Sequence, residues 1–146
     1  MTTDSILIIN GPGFSGSELQ EIEQACQHKC EEMGLVLEIR HSRDQSQIIK
    51  WIETDSQGFS GIVIGPVKNE KPSASYFDSL HAAIKSIAHL KLPTIEVHIE
   101  NIFLPGSKVP APIQVPESNT GFIAGLGIHG YLLAIQSLAA NFNRVQ

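Results

Sequence analysis

The chain has 146 residues, 42% of them hydrophobic and 17% charged, a composition typical of one compact domain, here residues 1–146, with a buried core. The formal net charge is −5 and no basic stripe is present, which argues against nucleic acid as a partner. No apolar run approaches the roughly 20 residues that span a bilayer, and the first four residues show no signal-peptide pattern, so we expect no membrane association and a cytoplasmic location.

The first apolar run, Ile6-Leu7-Ile8-Ile9, leads directly into the turn Asn10-Gly11-Pro12-Gly13. Four consecutive apolar residues bounded by turn residues indicate a strand buried on both faces, as in a parallel sheet covered by helices. Ligands bind such sheets at the carboxyl ends of the strands. Asn10 is therefore placed where its side chain can reach a ligand.

The glycines of this turn formally match a dinucleotide-binding fingerprint, as Gly11-x-Gly13-x-x-Gly16. Pro12 interrupts the pattern, and Arg40-His41 stands where an acidic residue would close the second strand. We therefore do not interpret the turn as a nicotinamide cofactor site.

The first predicted helix carries apolar residues at helical spacing from Leu19 to Met33, and either Ser15 or Ser17 opens it with a capping box. Cys26 and Cys30 lie on one face of this helix. We interpret them as two buried core thiols rather than as part of a metal site.

The rest of the chain alternates predicted strands and helices. We predict strands at 35–40, 61–64, 93–99 and 121–125. Helices follow the caps Asp44 and Ser73, the second of them running to about residue 90, and a last helix follows residues 127–130. A long proline-bearing loop is predicted at 102–116. Periodicity does not separate strand from helix at 121–125, and we choose strand. The order predicts an α/β fold with a doubly wound, five-stranded parallel sheet in three layers.

Polar residues follow the predicted strands and should meet at one edge of the sheet. They are Asn10, the turn 41–44, Gly65 with the loop 68–71, and His98 with Glu100 and Asn101. The set predicts a pocket for a small polar molecule with hydroxyl or carboxylate groups. His98 is the candidate acid–base group, because imidazole transfers protons near neutral pH; the alternatives are a structural histidine and an asparagine that only supports its turn.

Several motifs resemble those of the type II 3-dehydroquinate dehydratases, and they follow in order along nearly the whole chain. They are Ile6-Leu7-Ile8-Ile9-Asn10-Gly11-Pro12, Gly61-Ile62-Val63-Ile64-x-Pro66, Leu92-Pro93-x-Ile95-Glu96-Val97-His98-Ile99-x-Asn101 and Gly125-Leu126-Gly127-x-x-Gly130-Tyr131-Leu132-Leu133-Ala134.

The resemblance implies a flavodoxin-like fold, often assembled as a dodecamer built from trimers. It implies a reaction of the shikimate pathway that eliminates water from 3-dehydroquinate without metal or cofactor. A lid tyrosine supported by a lid arginine removes the proton, asparagines hold the enolate through water, and a histidine protonates the leaving hydroxyl.

Residue by residue, the resemblance assigns catalytic roles to Asn10 and His98. It places Ile99 and Glu100 at the backbone positions that hold the substrate carboxylate. It also matches Asp78 to an aspartate that reaches the site of a neighbouring subunit.

The sequence departs from the family pattern at several of these positions. The lid is reduced to Gly13-Phe14-Ser15-Gly16, without tyrosine or arginine. Gly65 replaces the third-strand asparagine, Lys71 replaces the substrate-binding histidine, and Glu100 replaces a serine. Residues 103–107 replace an arginine-rich stretch, with only Lys108 nearby. Loss of the base alone removes roughly 10² to 10⁴ in rate.

Three functional hypotheses follow. The first is a divergent family member with lost or much reduced dehydratase activity that keeps a pocket for a small polar ligand, such as a hydroxy acid or carboxylate. The second is an active lyase in which Lys71 or Tyr76 replaces the base. The third is a non-enzymatic homo-oligomeric or regulatory subunit, with the 102–116 loop as an interface.

Overall fold

The computed structural model describes residues 3–108 and 120–144. Within them a parallel five-stranded sheet has the strand order β2-β1-β3-β4-β5. In chain order the elements are β1 (Ser5–Asn10), α1 (Gly16–Met33), β2 (Val36–His41), α2 (Gln45–Glu53), a 3-10 helix (Asp55–Gly58), β3 (Gly61–Gly65), α3 (Ala74–Ala88), β4 (Thr94–His98), β5 (Thr120–Ala124) and α4 (His129–Arg144).

Helices cover the sheet on both faces, which confirms the predicted three-layer, flavodoxin-like α/β fold. One core cluster joins α1 and α4 to alternate strand residues such as Ile6, Ile8 and Val97. The other joins α2 and α3 to the intervening residues such as Leu7 and Ile9. The apolar runs of β1 and β3 are therefore continuous because both of their faces are buried.

Side-chain caps begin the first three α-helices where the sequence predicts them. Ser15, rather than Ser17, forms the capping box of α1 with Glu18, and Asp44 and Ser73 cap α2 and α3. The predicted boundaries differ by one or two residues: α3 ends at Ala88, β4 covers 94–98 and β5 begins at Thr120. The part of the predicted loop at 109–116 lies outside the described residues.

Cys26 and Cys30 are fully buried in the core, as predicted. Burial raises the pKa of Cys26 to about 12 and that of Cys30 to about 11, so both thiols stay protonated. Among the described residues, no helix is both long and apolar enough to cross a membrane.

Candidate functional site

Asn10 ends β1 with its side chain fully buried on the face covered by α1 and α4. The hydroxyl of Tyr131 on α4 donates a hydrogen bond to Asn10 Oδ1 at 2.6 Å. Asn10 Nδ2 is also buried and has no hydrogen-bond partner among the described residues. Tyr131 therefore fixes the orientation of the amide, and Nδ2 remains a donor for a ligand oxygen.

Gly65, which ends β3 beside Asn10, makes room for this hydrogen bond. A Cβ at position 65 would lie 2.0 Å from the Tyr131 hydroxyl and 2.8 Å from Asn10 Oδ1. Tyr131 thus occupies the space that a side chain at position 65 would need. The sequence analysis names Tyr131 only within a family motif, although a buried tyrosine usually needs a partner for its hydroxyl.

His98 ends β4 and is only 1% exposed. Its Nε2 lies 2.6 Å from Glu96 Oε2, while His81 Nε2 on α3 lies 3.0 Å from Glu96 Oε1. Burial opposes ionisation of Glu96, but the hydrogen bonds and charges of the two histidines hold its pKa down to about 2.

Because an ionised carboxylate only accepts hydrogen bonds, His98 must donate from Nε2 to Glu96. The other ring nitrogen, His98 Nδ1, is buried without a hydrogen-bond partner among the described residues. Nδ1 is therefore the atom through which His98 can exchange a proton with a ligand. The sequence analysis gave Glu96 and His81 no role, because it selected polar residues at the strand ends and residues that the family resemblance assigns.

The two candidate catalytic side chains lie on opposite faces of the sheet. Asn10 contacts α4, whereas His98 follows Glu96 on the face of α3 and lies 6.4 Å, ring to ring, from Phe77. β3 lies between β1, which carries Asn10, and β4, which carries His98. The axes of β1 and β4 are therefore about 9–10 Å apart. The predicted convergence at one edge is therefore correct only for the strand ends, and a ligand that contacts both must cross the end of β3.

The connection between β1 and α1, residues 11–15, packs tightly against the loop that follows β3. Gly11 N donates to Gly65 O at 2.8 Å and Lys68 N donates to Pro12 O at 3.0 Å. The ammonium group of Lys68 also pairs with Glu18 at the start of α1.

Side-chain positions along this connection agree with its tight packing. A Cβ at Gly13, whose φ is +99°, would lie 1.7 Å from the Lys68 carbonyl oxygen. Phe14, at the position where the resemblance implies a lid, is 6% exposed and packs in the core with Ile22 and Cys26. The connection is therefore a closed turn with a buried aromatic anchor.

The remaining predicted substrate-binding residues have other surroundings. Lys71 and Asp78 are exposed. The carbonyl oxygen of Ile99 accepts a hydrogen bond from Gly127 N at 2.9 Å. Glu100 Oε1 accepts one at 2.7 Å from the backbone of Asn69, whose φ is +52°, so this carboxylate holds the loop after β3.

Tyr76, considered above as a substitute base, does not suit that role. Its ring is buried, and its hydroxyl donates to the carbonyl oxygen of Pro66 at 2.8 Å. Burial and the nearby charge of Glu96 raise the pKa of this phenol far above neutrality. The second hypothesis therefore loses one of its two candidates.

Within residues 3–108 and 120–144, no group of three histidine, cysteine, aspartate or glutamate side chains is arranged to hold a metal ion.

Comparison with known proteins gives a consistent result. The family described as Dehydroquinase class II matches residues 6–139. A 3-dehydroquinate dehydratase of Mesorhizobium japonicum is 32% identical over 151 residues, covering 93% of this chain and 97% of the relative. The type II dehydroquinase of Propionibacterium acnes is 27% identical with a TM-score of 0.71, covering 94% of this chain and 99% of that one. A 3-dehydroquinate dehydratase-like protein from Bifidobacterium longum shares the fold, with a TM-score of 0.72 at 22% identity over 97% of this chain and 99% of that chain.

Proposed function

Because the chain belongs to the class II dehydroquinase family, we propose that it is a divergent member with strongly reduced dehydratase turnover. In this proposal it keeps a site for a small hydroxy acid or carboxylate at the carboxyl ends of β1 and β4. The family reaction converts 3-dehydroquinate to 3-dehydroshikimate, and that substrate is the reference ligand for the site.

The observation that carries the proposal is the closed connection between β1 and α1. The resemblance implies a tyrosine base and an arginine in this segment. Here two backbone hydrogen bonds tie the segment to the last residue of β3 and to the loop after it. The aromatic residue of the segment, Phe14, is buried in the core. A segment fixed in this way does not bring a base to the ligand. The hydroxyl of Tyr76 does not replace that base, because it donates a hydrogen bond to Pro66 O.

The two side chains that the family reaction uses for the leaving hydroxyl and the enolate are present in this chain. His98, held by Glu96, can protonate a leaving hydroxyl through Nδ1, and Asn10 Nδ2 can donate to a developing enolate oxygen. The carboxylate of Glu100, next to the position that the resemblance assigns to the substrate carboxylate, adds charge repulsion. We therefore expect the protein to bind the ligand but to convert it slowly.

The experiment is turnover of purified protein on 3-dehydroquinate, followed by the ultraviolet absorbance of the enone product. We expect a rate at least about 10² below that of an active family member. His98→Ala should abolish what remains, and His89→Ala, at an exposed position at the end of the same helix as His81, should not. A rate equal to that of an active relative would contradict the proposal.

A binding measurement tests the retained site separately. Excess 3-dehydroquinate should raise the melting temperature, because a ligand that binds only the folded state stabilises it by mass action. Asn10→Leu should remove the shift, since it removes the free amide donor. If neither 3-dehydroquinate nor related hydroxy acids shift the melting temperature, the retained pocket is refuted.

We also propose that copies of the chain associate in the cytoplasm, the alternative in which the oligomer contributes to function. Three apolar residues, Phe103, Leu104 and Leu126, are 61%, 60% and 50% exposed. They lie beyond the carboxyl ends of β4 and β5. Light scattering should show an oligomer that Leu104→Asp dissociates. Leu90→Asp, at a position 55% exposed beyond α3, serves as the matched control, and a monomeric wild type would contradict association.

A further inference from the structure

His81, a residue to which neither the comparisons nor the resemblance assigns a role, shares the carboxylate of Glu96 with His98. Each carboxylate oxygen faces one imidazole nitrogen, at 3.0 Å for His81 Nε2 and 2.6 Å for His98 Nε2. Glu96 is 4% exposed, so these bonds form in a place largely shielded from water. One buried negative charge is thus divided between two donors.

The two histidines differ in their access to solvent. The side chain of His98 is 1% exposed, whereas that of His81 is 46% exposed. The His81 ring stacks on Phe77 at 5.7 Å and 5° between planes, and Phe77 also contacts the His98 ring. This packing holds the two imidazoles on either side of Glu96, with only His81 able to exchange protons readily with water.

The charges around His81 favour its protonated form. The hydrogen bond that His81 donates to Glu96 raises the His81 pKa, burial opposes the rise, and the charges of Glu96 on β4 and Asp78 on α3 add to it. The groups that face Glu96 itself are His81, His98 and the phenol of Tyr76. The pKa of His81 is therefore raised above its ordinary value, chiefly by the hydrogen bond to Glu96.

We propose that His81 is a positioning residue that sets, through Glu96, how strongly His98 is held and charged at the ligand site. Protonated His81 draws the carboxylate charge to Oε1 and opposes a second positive charge on His98. Neutral His81 leaves most of that charge to the bond at Oε2. The acid of the site thus responds to solvent pH through a partly exposed residue of α3.

This inference rests on the proposed role of His98, and its test needs no turnover. In the full-length protein with 15N-labelled histidine, NMR correlations from the ring carbon-bound protons report both nitrogens of each imidazole across the pH range. We expect His98 to carry its proton on Nε2. We also expect its 15N shifts to show a step that coincides with the titration curve of the His81 ring.

The variant His81→Gln keeps a hydrogen-bond donor but does not titrate, so the step should disappear. His81→Asn serves as a second variant if His81→Gln does not fold. His89→Gln, directly after the same helix, should retain the step. The inference is overturned if the His98 shifts follow the same pH curve in His81→Gln as in wild type, or if wild type has no step at the His81 midpoint. Turnover equal to that of an active family member would instead contradict the proposed function and leave this result standing.

Discussion

The contact between Gly65 and Tyr131 predicts that two substitutions will compensate each other. In Gly65→Ala the new Cβ would lie 2.0 Å from the Tyr131 hydroxyl oxygen, far inside the roughly 3.5 Å of an ordinary contact. Tyr131 is fully buried, so it must displace its neighbours or lose its hydrogen bond to Asn10. Removing the hydroxyl with Tyr131→Phe would remove the atom that clashes.

The magnitudes follow from the kinds of contact involved. Overpacking a buried site costs about 1–3 kcal/mol, and losing the hydrogen bond adds about 0.5–1.5 kcal/mol. Gly65→Ala should therefore lower the free energy of unfolding by about 1.5–4.5 kcal/mol. Tyr131→Phe leaves a buried acceptor without its donor, at a cost of about 1–3 kcal/mol. In the double variant the Cβ still lies 2.8 Å from Asn10 Oδ1 and 3.1 Å from Cζ, the nearest ring atom. The relief is therefore partial, and the total should fall short of the sum by about 1–2 kcal/mol.

Urea denaturation of the wild type, both single variants and the double variant measures this coupling, provided that the slopes agree. Gly58→Ala combined with Tyr131→Phe is the control, because a Cβ at position 58 has no atom within 4 Å, and that pair should be additive. If Gly65→Ala and Tyr131→Phe also add within about 0.5 kcal/mol, the proposed competition for one space is wrong.

Three further predictions test other parts of the site. Gly13→Ala should lower the free energy of unfolding by more than about 2 kcal/mol in urea, because of its positive φ and the 1.7 Å approach of a carbonyl oxygen; Gly16→Ala, with open space around its Cβ, should change it by less than about 1 kcal/mol. Tyr76→Phe should cost about 1 kcal/mol of stability and leave turnover on 3-dehydroquinate unchanged, and a loss of turnover would restore this phenol as a candidate base. Stability should fall as pH drops from about 4.5 through the lowered pKa of Glu96 near 2 and, separately, as pH rises above 6.5 through the raised pKa of His81. The measurement is the urea midpoint as a function of pH. Its decrease at low pH should disappear in Glu96→Gln, and its decrease at high pH should disappear in His81→Gln.

The fold could be predicted because local signals and burial agree. Ile6-Leu7-Ile8-Ile9 is apolar throughout and is buried on both faces, and the caps Ser15, Asp44 and Ser73 begin helices in the structure. Boundaries shifted by one or two residues because the ends of elements depend on hydrogen bonds to distant segments. One example is Ile62 N, which donates to Pro93 O.

The site could be predicted only in part, because its partners come from distant positions. Asn10 and His98 stand at strand ends, which the alternation of elements identifies. The hydroxyl that orients Asn10 comes from position 131, 121 residues away in the chain, and His81 reaches Glu96 from the outer layer. Neither pairing leaves a periodic signal, since each depends on which helix packs on which face.

The separation of Asn10 and His98 limits what the proposed ligand can be. Their strands flank β3 and are about 9–10 Å apart, so one molecule that accepts from Asn10 Nδ2 and exchanges a proton with His98 Nδ1 must bridge the end of β3. Gly65 contributes no side chain there, and the Tyr131 hydroxyl fills the space on the α4 face. A ring with polar groups at opposite ends can offer one oxygen to each nitrogen, whereas a two-carbon acid carries its oxygens on adjacent carbons. A cyclic hydroxy acid of about the size of 3-dehydroquinate is therefore the ligand that we propose for this site.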